Sequence, residues 1–275
     1  MTLELPDLGR PGKSLAEVLL GFAKALRDDI ENLADNPVVR IHDIRVGTKK
    51  LNALLRLAAP PLAAEERRQI SALLREVRNT FAGSRDKEVL RARLDQVRAD
   101  ASGETAMQLG LEPDGSAGLP GTDRAAGLAG VITERIIALE LSPLTTPQLL
   151  ANATSSYRKA RRLFWACRKS ADDENMHQWR KRTKDICYHA MALSALKPRA
   201  AAAAKLDALA ERLGEYHDLA LLLPRAAGHP GLAATIAERK HATGRECFRS
   251  AEKIFRKTPK EFAAQLKRHA RKFCP

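Results

Sequence analysis

The sequence predicts an all-α fold. Alanine, leucine, arginine and glutamate dominate its 275 residues, and these are strong helix formers. Apolar residues recur at three- and four-residue intervals along the chain, and no alternating run of β-branched residues is long enough for a strand. Domains commonly run about 100–150 residues, so two similar units are the first expectation.

Ser14 followed by Glu17 has capping-box form. Leu15, Val18, Leu19, Phe22, Leu26, Ile30 and Leu33 then make one stripe, which predicts a first helix from Ser14 to about Leu33. Asn36 and Pro37 end it, and a second helix runs from Val38 or Val39 to just before Pro60. A third begins near Ala63, with Ile70, Leu73, Leu74, Val77 and Phe81 apolar, and Gly83 and Ser84 break it ahead of Arg85. Asp86 is expected at the head of a fourth helix, where a carboxylate caps backbone N–H groups; that helix ends by Asp100. Residues 101–123 are rich in Gly, Ser, Asp and Pro and read as an inter-repeat loop with no phosphate-loop pattern. Helices follow at about 124–141 and 147–169, then one carrying MHQWRKRTKDICYHAM, then Arg199–Glu215 and Asp218–Ala226. A long helix after Gly231 reaches Phe255. Pro259 opens a short basic helix whose Lys267, Arg268, Arg271 and Lys272 read as a solvated face.

The net charge of +14 and pI near 9.9 favour a polyanionic partner. Aromatic residues are only 4 %, which supplies a poor stacking platform for single-stranded nucleic acid. The four cysteines have no metal-type spacing and suit reduced thiols in a cytoplasmic protein. No apolar run approaches the ~18 residues of a membrane span. Metal-ligand and nucleophile signatures are missing, so no cofactor, metal or catalytic residue is expected.

The cations are patterned. In HDIRVGTKKLNALLR, His42, Arg45, Lys49 and Arg56 fall within a helical arc of about 60° that holds no carboxylate, beside an apolar arc of Ile41, Ile44, Thr48, Leu51 and Leu55. His177, Arg180 and Lys184 repeat the first three at a constant offset of 135 residues (177 − 42, 180 − 45 and 184 − 49), and Tyr188 continues that arc. FAGSRDKEVL and LGEYHDLALL also correspond, Asp86 with Asp218. A fixed offset marks an internal duplication. Arg75, Arg78 and Arg85 would share one side of the third helix if it ran that far.

HDIRVGTKKL with Arg56, RDKEVL, YRKARR, HQWRKRTKDICY and LGEYHDLALL together resemble the CHAD family, the α-helical domain named for its histidines. The resemblance implies two four-helix bundles related by a pseudo-twofold axis, with basic helices lining a central groove or channel for inorganic polyphosphate, in a binding module and not an enzyme. Carried over by position, it implies ligand roles for His42, Arg45, Lys49, Lys50 and Arg56 in the first copy and for His177, Arg180, Lys181, Lys184 and Tyr188 in the second. Arg158, Arg161 and Arg162 would form a basic wall, and Arg75, Arg78 and Arg85 join the expected site. The histidines either donate to phosphate or hold helix contacts, and Asp86, His217 and Asp218 have supporting roles. Asn52 stands where an arginine is expected, and Cys187 where a basic residue is common.

The chain is thus read as a single domain over 1–275, with a first helical repeat at 14–100, the loop at 101–123, a second repeat at 124–257 and a basic C-terminal helix at 258–275. Its expected partner is inorganic polyphosphate, in the cytoplasm and in association with polyphosphate-containing granules. The alternative is a helical nucleic-acid binder, since nucleic acid competes for any phosphate site at low salt.

Overall fold

The computed structural model of the protein describes residues 2–81, 83–100, 121–196 and 199–271, without the side chains of 83–88, 98–100 and 199–201. The expected Arg85 and Asp86 side chains, residues 101–120 of the expected loop, Lys272 and Cys274 therefore lie outside the described residues, while Thr122 and Asp123, expected in that loop, open a helix instead. Among the described residues the fold is all-helical: α1 (Pro11–Glu31), α2 (Pro37–Leu57), α3 (Ala64–Thr80), α4 (Gly83–Asp100), α5 (Thr122–Ile137), α6 (Thr146–Lys169), α7 (Asp173–Ala192), α8 (Arg199–Leu222), α9 (Pro230–Phe255) and α10 (Pro259–Ala270). No helix among them is long and apolar enough to cross a membrane.

Local chemistry sets most helix ends. Asn36 caps α2 by accepting from the Val39 amide at 3.3 Å, with Pro37 opening the first turn. Asp172 caps α7 through the Asn175 amide at 2.8 Å. Thr145 with Gln148, and Thr258 with Glu261, form capping boxes on α6 and α10. The first helix departs from expectation. It begins at Pro11, because Pro11 supplies a preset φ at the first turn, and Ser14 is buried inside the helix. The Ser14 hydroxyl instead bonds the Asp7 amide at 3.0 Å and carbonyl at 2.8 Å, folding the N-terminal segment back. A second departure lies at Glu215–Asp218, where two helices are expected and α8 runs through unbroken. It ends at Leu222, where a 3-10 turn over Leu223–Ala226 accommodates Pro224, which lacks an amide to continue the α pattern. α4 begins at Gly83, three residues ahead of Asp86.

Three apolar clusters hold these helices. The first joins α1, α2, α3 and α5 with the start of α6 and the end of α7, and takes in Leu3, Leu5 and Leu8 of the N-terminal segment. The second joins α6, α7, α8 and α9 around Phe164, Trp179 and Phe255, all fully buried. In it Phe164 lies 5.4 Å from Phe255 and Trp179 stacks on Phe248 at 5.5 Å. The third is formed by Leu90, Leu94 and Val97 of α4 with Leu219 and Leu222 of α8 and Ile236 of α9. α4 thus packs on late helices, while α5 packs on α1 and α3. α10 packs along α6, where Phe262 stacks on Tyr157 at 4.0 Å. Cys167, Cys187 and Cys247 are free and buried, and burial raises their thiols to about 11, 12 and 12 respectively, which leaves them unreactive at neutral pH.

Gly12 faces the backbone carbonyl of Leu141 with no room for a Cβ. Gly12→Ala is expected to force α1 away from the α5–α6 connection and to cost about 1–3 kcal/mol, read as a lowered Tm and an earlier denaturant midpoint.

Candidate anion-binding site

The 135-residue correspondence extends to what the two helices bury. Ile44, Thr48 and Leu51 of α2 are fully buried, and so are Trp179 and Thr183 of α7, with Ile186 at 5 % exposure. Each helix keeps that apolar side against the interior and sets its cations on the neighbouring side. The helices pack directly on each other, where the His189 ring approaches the Ala53 carbonyl at 2.8 Å and Arg56 meets Asp185 at 3.2 Å.

Lys49 is the centre of the basic cluster. Burial pushes its ammonium down to about 7, and Arg180, Arg45, Arg78 and Lys184 push it in the same direction, in that order after burial. These cations come from α2, α3 and α7, so both expected copies contribute. The four side chains acting most strongly on Lys49 are all cationic, so its immediate electrostatic surroundings are dominated by positive charge. The cluster's outer members are anchored. Arg45 donates to the Phe81 carbonyl at 3.3 Å, and Lys184 pairs with Asp207 at 3.3 Å. The Arg180 guanidinium lies against Gly214 of α8, where a Cβ would sit 3.4 Å from Nε, and that Nε is buried without a partner among the described residues. Burial holds Arg180 below its ordinary range, and Asp218 works against that shift. Asp218 also lies 3.8 Å from Arg93 of α4.

Next to Arg180, His177 and His217 stack with centroids 4.3 Å apart. Burial lowers both, His217 to about 4, and the second cause is His177 for His217 and Lys181 for His177. His177 Nδ1 is buried without a partner among the described residues. His42 is exposed on α2.

The remaining expected residues are spread more widely. Lys50 turns to α1, its ammonium 5.1 Å from the Phe22 ring centroid. Tyr188 is 6 % exposed in the first apolar cluster, and burial raises its phenol to about 12. Its position corresponds to Ala53, which is also buried, and both lie where α2 and α7 meet. Arg75 is exposed on α3. Arg158 and Arg162 are exposed on α6, while Arg161 donates to the Phe255 carbonyl at 3.0 Å and lies 5.7 Å from the Trp165 ring centroid. Asn52 bonds back to the Thr48 carbonyl at 3.1 Å.

Arg56 belongs to a second group of cations, whose other members, Lys159, Arg182 and Arg67, were not singled out by the sequence pattern. Arg56 and Arg182 both hold Asp185, at 3.2 and 2.9 Å. Burial lowers Lys159 of α6, followed by Arg182, Arg56 and Arg67 of α3. Only the Arg182–Asp185 spacing of three residues on one helix carried a sequence signal.

The Lys49 shift has a sign. The folded protein binds this proton less tightly than the unfolded chain, whose lysine titrates near 10.5. Stability in the absence of ligand therefore rises with pH from about 7 towards 10.5 and is lowest below 7. Lys49→Met is expected to remove that slope and to raise Tm by about 2–4 °C at pH 6.5, measured by thermal denaturation across pH.

No curated protein matches the chain. Residues 17–227, from α1 through the 3-10 turn after α8, match the family model described as "CHAD domain". That span takes in α2, α7, their repeated cations and every residue acting on Lys49, and the chain belongs to the CHAD domain family.

Proposed function

We propose that the protein binds inorganic polyphosphate in a groove formed where α2 and α7 face each other, and that it acts as a binder that leaves the polymer intact. Lys49 carries this reading: a buried ammonium, lowered to about 7 first by burial and then by four cations from three helices, is a position where a phosphate chain would supply a counter-charge. Membership of a family associated with polyphosphate binding supports it. In this reading the two repeats are related by a pseudo-twofold axis between α2 and α7, each opposing a row of cations to the other. Arg45, Arg78 and Arg180 give planar, multi-donor forks to phosphate oxygens, and Lys49 and Lys184 act as compact point charges. Arg180 Nε and His177 Nδ1, buried without partners among the described residues, have the donor capacity to turn to the polymer. Arg56, Lys159 and Arg182 extend the basic track, and Asp185, Asp207 and Asp218 orient it without neutralising its centre. The cellular setting proposed is the cytoplasm, with polyphosphate granules as the store encountered.

Substitution, competition and proton uptake test this. Double substitution Arg45→Ala with Arg180→Ala is expected to weaken long-chain polyphosphate binding by at least about tenfold per arginine, from the ~1.5–3 kcal/mol typical of hydrogen bonds to charged groups. Unchanged affinity in the folded variant would remove the site. Excess duplex DNA at physiological salt is expected to leave polyphosphate bound, and no orthophosphate to appear with or without divalent metal. Phosphate should also return the Lys49 ammonium towards its ordinary range. Calorimetry at pH 8 in buffers of different ionisation enthalpy is then expected to show proton uptake on binding, reduced in Lys49→Met.

A further inference from the structure

α10 and the connection that precedes it form an open, basic pocket outside the family match. It has a volume of about 710 Å³ and lies between the end of α9 and α10, beyond residue 227 where the match ends. Arg256 and Lys257 line one side, from the connection between the helices. Lys267, Arg268 and Arg271 line the other, from the end of α10. The single carboxylate in the lining, Glu261, is engaged as the α10 cap, where it accepts from the Thr258 amide at 2.7 Å and hydroxyl at 3.0 Å. Lys257 bonds a neutral partner, Gln265, at 2.7 Å. Arg256, Lys267, Arg268 and Arg271 are all exposed.

A basic last turn alone would be ordinary, since cations there complement the helix dipole. Arg256 and Lys257 belong to no such turn of α10, yet they face the same space. Five cations from two elements line one open pocket with a single, engaged carboxylate, an arrangement suited to an anion. Its size is that of a small-ligand site. Among the described residues the lining holds no aromatic ring, and Phe262 of α10 is stacked on Tyr157. A nucleobase therefore finds no stacking partner among these side chains, whereas a chain of phosphates needs only the charges.

We infer that this cavity is a second contact site for phosphate polymer, separate from the α2–α7 site and linked to it by whichever long chain occupies both. The inference rests on the polyphosphate reading of the protein. A short anion fills one site at a time. A polymer much longer than the protein's diameter engages both, and its second contact is made at high effective concentration. The protein is then a length-sensitive binder, with α10 supplying the preference for long chains.

The test uses the full chain with tripolyphosphate and long-chain polyphosphate as probes. The triple variant Lys267→Ala, Arg268→Ala, Arg271→Ala and, separately, the opposite-wall variant Arg256→Ala, Lys257→Ala alter exposed side chains, and an unchanged Tm confirms folding. Calorimetry is expected to give two tripolyphosphates per wild-type chain and one per chain in either variant. Long-chain affinity should fall at least tenfold in both, with the remaining tripolyphosphate bound as tightly as before. Unchanged stoichiometry and unchanged long-chain affinity in both variants would overturn the inference. So would loss of duplex DNA binding alone, which would make the surface a nucleic-acid contact. The Arg45→Ala, Arg180→Ala protein separates the two readings. If it keeps both tripolyphosphates while the cavity variants lose one, the α2–α7 site falls and the cavity stands.

Discussion

Positive charge held close to positive charge is the constraint around which this protein is built. Two like charges ~6 Å apart repel by about 3 kcal/mol at an effective dielectric near 20. Such a cluster exists only where something else fixes the helices. Here that is the buried side of α2 and α7: Thr48 and Thr183 are fully buried at corresponding positions, and His189 ties to the Ala53 carbonyl. The Arg56–Asp185 pair adds an ionic contact between the same two helices. Apolar packing thus opposes the repulsion, and Lys49 is depressed by its burial first and by the neighbouring cations after it.

The carboxylates near the cluster are placed with the same logic. Asp207 holds Lys184 and Asp218 acts on Arg180, each from α8, so their charge meets the outer cations. An aspartate beside Lys49 would have quieted the strain and filled the position an anion needs. Under the polyphosphate reading, stability and function pull in opposite directions at this residue.

Helix identities were legible because the apolar stripes of α1, α2, α3 and α7 are long and regular. The central cations Arg45, Lys49, Arg180 and Lys184 were legible because repetition at one offset removes chance. Ends and neighbours were less so. α8 passes through Tyr216 and His217 because nothing there forbids a helix, although the repeat suggested a cap before Asp218. Tyr188 sits on the same arc as Lys184 in projection, but the packing of α2 on α7 covers it, and a projection of one helix does not contain its neighbour. Lys50 turns to Phe22 for the same reason. Arg67, Lys159 and Arg182 come from three helices and meet only through tertiary structure, so no spacing in the chain announces them.

The position of α4 has a bearing on synthesis. Leu90, Leu94 and Val97 find their apolar partners in Leu219, Leu222 and Ile236, more than a hundred residues later in the chain. At ribosomal rates of about 5–20 residues per second, that face emerges roughly 6–25 s before α8 does. The nascent chain is able to assemble α1, α2 and α3 in that interval but not to cover α4. Its exposed leucines make this segment the natural point for a chaperone to hold, and the natural point for two growing chains to pair wrongly.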